Sequence, residues 1–92
     1  MTREKIVSIL VRLKPDEAYI WSDGGLTGCW FVRDPDYPQR FRTRVVAQWE
    51  LVKWVSAGAL VKRRVDMHNR LLTIYQLPDA PLPAGATAIR SV

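Results

Sequence analysis

The chain has one cysteine and one histidine in 92 residues, and this scarcity limits the chemistry available to it. Cys29 cannot form a disulfide within the chain, and a cysteine-rich metal site is excluded. A dyad of Cys29 and His68 would need two distant segments to converge, and a turn histidine is more often an exposed polar residue than a base. We therefore expect a protein that is not an enzyme and holds no metal or cofactor.

Long hydrophobic runs are also missing. Charged residues interrupt the apolar residues near the N-terminus, so neither a secretory signal nor a membrane span of about 20 residues fits. We expect a cytoplasmic protein with no membrane contact. With 48% hydrophobic residues and no internal repeat, 92 residues predict one small domain with a modest core. The interrupting residues are Arg3, Glu4, Lys5, Arg12 and Lys14.

Positive charge is present in excess, with a net charge of +5 and a sequence pI near 9.9. Lysine and arginine cluster at residues 40–44 and 62–64. Clustered cations attract polyanions, most commonly nucleic acid, whereas a modest positive charge can also serve only to keep a surface soluble. The composition supports the two interpretations about equally.

Helical spacing marks the N-terminal segment. Apolar residues recur at three- and four-residue intervals, and the Thr2 hydroxyl stands where it can cap the first backbone amides. Pro15 disfavours helical geometry at Lys14 and cannot continue the hydrogen-bond ladder. We therefore predict a first helix that ends near Leu13 or Lys14. Its buried stripe is expected to contain Ile6, Ile9, Leu10 and Leu13.

Two short runs rich in aromatic and β-branched residues flank a turn-forming Asp-Gly-Gly sequence at residues 23–25. Glycine supplies the positive φ that tight turns need, so residues 18–21 and 27–32 are predicted to form a hairpin. An alternative is a strand at 19–21 followed by a short helix at 26–32, which the local glycines disfavour. Residues 33–39 contain two prolines and two aspartates and predict a loop.

A basic, tryptophan-containing helical pattern follows at residues 42–57. At about 100° per residue, five apolar residues fall on one arc, which is expected to pack against the first helix. Trp54 lies opposite this arc. Burial of Trp54 beneath the first hairpin is the favoured interpretation, since a small domain needs its aromatic residues for the core. The alternative is a partner surface or a homodimer contact. The arc comprises Val45, Trp49, Leu51, Val52 and Val55.

Two further strand patterns, at residues 60–65 and 70–77, surround a connection at 66–69. Apolar and polar residues alternate along them, so one face is expected to join the core while the cations stay near solvent. The connection is longer than a two-residue turn. Residues 78–92 are rich in proline and alanine and predict a flexible tail after a domain of residues 1–77.

The run AGALVKRR at residues 57–64, followed by Asp66 and Arg70, resembles the end of the recognition helix and the wing of winged helix-turn-helix transcription regulators. The resemblance covers residues 42–77, less than half the chain. It implies a recognition helix at 42–56 and a basic hairpin as the wing. Where that family has a further helix, this sequence shows the first hairpin pattern, so a similar scaffold adapted to protein binding stays open.

The expected fold is thus an α+β single domain in the order α-β-β-α-β-β, winged-helix-like with a C-terminal basic hairpin. The expected function is a small basic DNA-binding protein, a homodimeric transcription regulator that contacts duplex DNA through residues 42–57 and 60–77. The alternative is a protein-binding module, such as a small phage or mobile-element inhibitor of a host complex, with Trp54 at the contact. The candidate DNA contacts are Arg40, Arg42, Thr43, Arg44, Gln48, Lys62, Arg63, Arg64 and Arg70.

Overall fold

The computed structural model describes residues 2–23, 28–36 and 45–89 of the chain. In chain order the elements are α1 (Arg3–Arg12), a 3-10 turn (Pro15–Glu17), β1 (Ile20–Ser22), β2 (Cys29–Phe31), β3 (Val45–Val46), α2 (Gln48–Ser56), β4 (Val61–Met67), β5 (Arg70–Gln76) and β6 (Ala86–Ala88). The strands form one antiparallel sheet in the order β3-β2-β1-β5-β4-β6, with two helices on one side. The α+β class predicted from the sequence is confirmed, whereas strands β3 and β6 were not predicted.

Helix α1 begins and ends close to the predicted residues. The Thr2 hydroxyl accepts a hydrogen bond from the Lys5 amide at 3.2 Å, and the helix is capped at Leu13 before Pro15. The predicted apolar stripe is confirmed, because three of its members are buried and Leu13 packs against them. Neither described helix is long and apolar enough to cross a lipid bilayer.

The first hairpin is confirmed by the antiparallel pairing of β1 with β2, in which Ile20 lies opposite Phe31 and Trp21 opposite Trp30. The alternative short helix at residues 26–32 is wrong, since Cys29–Phe31 is a strand. Strand β1 also pairs with β5 and therefore lies inside the sheet rather than at its edge.

Helix α2 begins at Gln48, so the predicted start at residue 42 is wrong for the described part of that segment. Val45 and Val46 instead form β3, whose Val46 pairs with Cys29 of β2. Two consecutive β-branched residues favour a strand, and Val46 gains complete burial at the end of the sheet. Residues 42–44 lie outside the described residues. Gly58, with φ of +79°, ends the helix as expected.

The apolar arc predicted for the second helix does not match its buried side. Leu51 is fully buried and Val55 packs against the core, but Trp49 and Val52 are 69% and 53% exposed. The buried side of α2 instead includes Trp54, which packs partly buried against the same core. Burial beneath the first hairpin was the favoured interpretation of Trp54, and the structure shows partial burial against the main core.

Strands β4 and β5 form a regular hairpin from the pair Val61–Gln76 to the pair Met67–Arg70. Only His68 and Asn69 connect them, with φ of 54° and 61°. Two consecutive positive φ values are what a two-residue type I′ hairpin turn requires, and asparagine tolerates them well. The longer connection predicted at residues 66–69 is therefore wrong.

Residues 78–89 are packed, so the predicted flexible tail does not apply to them. Strand β6 pairs with β4, where Ala88 lies opposite Val65 and Ala86 opposite Met67. Leu82 packs against an apolar cluster that includes Val65 and Met67. Proline and alanine suit this segment. The small alanine side chains fit closely on the sheet, and proline, which lacks a backbone N–H group, is tolerated in the coil before the strand. Residues 90–92 lie outside the described part.

The sheet has two unlike faces, because residues opposite each other on neighbouring strands project to the same side. The helix-side face carries Ile20, Phe31 and Tyr75, which form the main core with α1 and α2. The outer face carries Ile74 and Val65, which form a second core cluster with residues of the C-terminal segment.

Candidate nucleic-acid interface

The four cations predicted to line a wing are divided between the two faces of the β4–β5 hairpin. Lys62 lies opposite Tyr75 and Arg64 opposite Thr73, so both project on the helix-side face. Arg63 lies opposite Ile74, and Arg70 opposite Met67, on the outer face. The four cations therefore do not share one surface, because alternation along a strand separates neighbouring residues.

Lys62 and Arg64 are exposed although they share the face that the helices cover. Their strand lies toward the β6 edge of the sheet, beyond the strands that carry the main core. The two cations thus stand at the margin of the helix-covered region.

Cations on α1 and after β2 form ion pairs with acidic neighbours. Arg12 binds Asp36 at 2.7 Å, and Lys5 lies 3.7 Å from the same carboxylate. Arg33 pairs with Glu17 at 3.2 Å. In contrast, neither cation of the helix-side part of β4 forms an ion pair within the ranges that the structure describes. Among the described residues, Lys62 and Arg64 therefore leave positive charge on β4 that no acidic side chain pairs with.

Arg63 forms hydrogen bonds that connect β4 to β5 and to the C-terminal segment. Its guanidinium donates to the Oε1 atom of Gln76 and to the carbonyl of Ala80, both at 2.9 Å. Gln76 is completely buried, and its Nε2 atom donates to the carbonyl of Pro81 at 2.9 Å. This clamp (Arg63, Gln76 and the carbonyls of Ala80 and Pro81) fixes the C-terminal segment on the sheet.

An open notch of about 430 Å³ follows the edge of β4, at the end of the described part of β6. The Ile89 amide donates to the Arg64 carbonyl at 3.0 Å and closes one end. Three consecutive cations contribute to the walls, and Ile89 gives them an apolar border. We name this feature the cationic notch. It is lined by Lys62, Arg63, Arg64, Ala88 and Ile89.

Arg70 lies on the rim of a second concavity, on the outer face, with a volume of about 300 Å³. The sequence did not predict it, because its walls come from three separate segments. A usable signal was present, since Tyr19 and Trp21 alternate with the buried Ile20 and must project to the other face. We name it the aromatic pocket. It is lined by Tyr19, Trp21, Val32, Met67, His68, Arg70 and Leu72.

Gln48, the one described residue of the helix that was predicted to read DNA, is not brought to the cationic notch. Gln48 is exposed at the start of α2, two residues after β3. Strand β3 is four positions from β4 in the sheet, a separation of roughly 19 Å at the usual strand spacing. Predictions for Arg40, Arg42, Thr43 and Arg44 fall outside the described residues.

Cys29 and His68 are kept apart. Cys29 is completely buried on the helix-side face, whereas His68 is exposed at the hairpin turn. Burial raises the pKa of the Cys29 thiol, which a hydrogen bond with Ser22 offsets in part. No group of three or more potential metal ligands occurs in the segments that the structure describes.

Comparisons of the chain with models of protein families, with curated proteins and with solved structures gave no match.

Proposed function

We propose that this protein binds nucleic acid without catalysing a reaction, and that the cationic notch contacts the phosphates of duplex DNA. One observation carries the proposal. Lys62 and Arg64 are exposed side by side at the sheet margin and form no ion pair with the described residues, while the cations around Asp36 and Glu17 are ion-paired. Such unneutralised cations release counterions from a phosphate backbone when they bind it.

The resemblance to winged-helix regulators supports the same element. In that family the hairpin after the recognition helix contacts phosphates, and in this chain the hairpin after α2 is β4–β5. The proposal retains this wing contact for Lys62 and Arg64. It assigns no base reading to α2, whose start is distant from the notch. Because one notch is a small interface, two copies of the chain are expected on one duplex.

Salt dependence of binding to a random-sequence duplex tests the proposal. Affinity is expected to fall steeply as salt rises, and the paired substitution K62Q/R64Q is expected to weaken it roughly 10- to 100-fold at about 0.1 M salt. The plot of log affinity against log salt should lose roughly two units of slope, since each phosphate contact contributes about 0.9.

A charge-matched control is the pair R3Q/K14Q, which removes the same two charges from exposed positions around α1. It is expected to keep most of the affinity and the slope. Equal weakening by the two pairs would mean that only net charge matters, and unchanged binding by K62Q/R64Q would refute the notch as the contact.

A second candidate function, protein binding, is favoured by the exposed side of α2. Trp49 and Val52 are one helical turn apart, and an exposed tryptophan beside an exposed valine is typical of a contact surface. In this alternative the contact is made by Trp49 rather than Trp54, which belongs to the core. A stoichiometric protein complex lost in W49A/V52S but kept in K62Q/R64Q would support it.

A further inference from the structure

The aromatic pocket has an apolar floor and a charged rim. Trp21 and Tyr19 contribute rings, and Val32 and Leu72 contribute aliphatic walls. Its volume of about 300 Å³ is at the lower end for small-molecule sites, which run from roughly 300 to 1,000 Å³. A site of this shape suits one planar ring system rather than a peptide chain.

The floor is held in place before any ligand arrives. The Trp21 ring lies 4.9 Å from that of Trp30 with a tilt of 36°, a favourable aromatic contact that restrains the indole. The Tyr19 hydroxyl donates to the Met67 sulfur at 3.4 Å. Because its one donor is already used, Tyr19 offers the pocket mainly its ring.

The rim is cationic. Arg70 is exposed at the start of β5, next to the tight turn that holds His68 and Asn69 in positive-φ conformations. No ion pair involves Arg70 among the residues with a described structure. A planar guanidinium binds phosphate through two parallel hydrogen bonds, and the flat rings beside it stack on any base. The complement of floor plus rim is therefore an aromatic base joined to a phosphate.

We propose that the aromatic pocket is a nucleotide-binding site, in which the base stacks on Trp21 and the phosphate is bound by Arg70. The site is on the opposite face of the sheet from Lys62 and Arg64. A nucleotide can occupy it whether or not the cationic notch binds duplex DNA. The two sites are therefore separable by experiment.

Methionine methyl NMR gives a direct readout, because Met1 and Met67 are the only methionines and Met67 lines the pocket. Adenosine monophosphate is expected to shift the Met67 methyl resonance saturably, through the ring current of the stacked base. Adenosine lacks the phosphate and inorganic phosphate lacks the base. Each is therefore expected to bind at least about tenfold more weakly than adenosine monophosphate.

Variants of matched charge separate the pocket from general electrostatics. R70Q is expected to weaken adenosine monophosphate binding about tenfold and to leave adenosine binding unchanged, because only the phosphate contact is removed. R64Q removes one charge from the other face and is expected to change neither. K62Q/R64Q should likewise keep nucleotide binding, even if duplex binding is lost.

Two results would overturn the site. One is a Met67 methyl resonance that does not move up to about 10 mM adenosine monophosphate, a range that covers weak binding. The other is equal weakening by R70Q and R64Q. Comparing oligothymidine with and without a 5′-phosphate identifies the source of the nucleotide. Tighter binding of the phosphorylated strand assigns the site to strand ends, and binding of the monophosphate alone assigns it to free nucleotides.

Discussion

Adjacent arginines on β4 have unlike environments, although the sequence Lys62-Arg63-Arg64 reads as one basic cluster. Arg63 is half-buried and bound to Gln76 and Ala80, while Arg64 is exposed on the other face. The alternation of a strand predicts this separation. The partners of Arg63 were not predictable, since they depend on a segment expected to be a flexible tail.

Substituting these two arginines is expected to have opposite consequences for stability and binding. R63A should lower the free energy of unfolding by about 1 to 3 kcal/mol, because it leaves the buried Oε1 atom of Gln76 without a donor. R64A should change it by less than about 0.5 kcal/mol, as surface substitutions usually do. Urea denaturation of both variants measures the difference.

For duplex binding the expected order is reversed. R64A should weaken the affinity of the folded protein for duplex DNA more than R63A does. Equal stability of R63A and R64A would contradict the clamp.

Two buried tyrosines and the buried cysteine are expected to make the free energy of unfolding depend on pH in the alkaline range. Burial raises the pKa of Tyr19, Cys29 and Tyr75 above their ordinary values of 10.0, 9.0 and 10.0. For Tyr19 the charge of Glu17 adds to this, and for Tyr75 the neighbouring Cys29 does so. In each case the folded chain keeps a proton that the unfolded chain has lost, so unfolding is favoured as pH rises.

The free energy of unfolding is therefore expected to be insensitive to these groups below pH 9 and to fall as pH rises past 9.0 and 10.0. Y75F removes one of the groups at nearly constant shape, so it should lose less stability between pH 7 and about pH 10.5 than the unsubstituted chain. Urea denaturation at the two pH values provides the comparison. An identical loss in both proteins would exclude Tyr75 as a contributor.

At the level of elements, local signals located α1 and both hairpins, and they failed where long-range pairing decides. The Thr2 cap and Pro15 set the limits of α1, and glycines set the first hairpin. Residues 45 and 46 continue a helical pattern in sequence but pair with β2 in the structure. Propensity over two residues is too weak to predict this, because the pairing depends on distant partners, Trp30 for Val45 and Cys29 for Val46.

The C-terminal segment is a second element that no local pattern predicts. Ala86–Ala88 has little strand propensity, yet it pairs with β4 across the register Val65–Ala88 to Met67–Ala86. Leu82 supplies the one large apolar side chain that covers the outer cluster from this segment. The burial of Val65 and Met67 depends on residues that composition alone assigns to a tail.

A chain ended after Leu77 is expected to lose cooperative folding or several kcal/mol of stability, since it lacks β6, Leu82 and the carbonyls that complete the clamp. Thermal unfolding followed by circular dichroism measures this. L82A in the full chain is a milder control, expected to cost about 2 kcal/mol, the lower end for a core leucine, because Leu82 is only partly buried. A truncated chain as stable as the full one would restore the tail interpretation.

At the level of the whole molecule, the sequence predicted a positive surface but not its geometry. Net charge and clustering are visible in composition, whereas neutralisation depends on partners such as Asp36, which lies 24 residues from Arg12. The cations of the β4–β5 hairpin that form no ion pair with described residues fall on two faces, Lys62 and Arg64 on one and Arg70 on the other. The two proposed sites, the cationic notch and the aromatic pocket, therefore use different faces of a hairpin that the sequence presents as one wing.

The most direct test of the phosphate contact is a map of backbone amide shifts on titration with duplex DNA. The largest changes are expected at Lys62, Arg64 and Ile89 along the cationic notch, and they should vanish at high salt. Amides of α1 should stay unchanged, because its cations are paired. Shifts concentrated on α1 or on the exposed side of α2, with none along β4, would contradict the account.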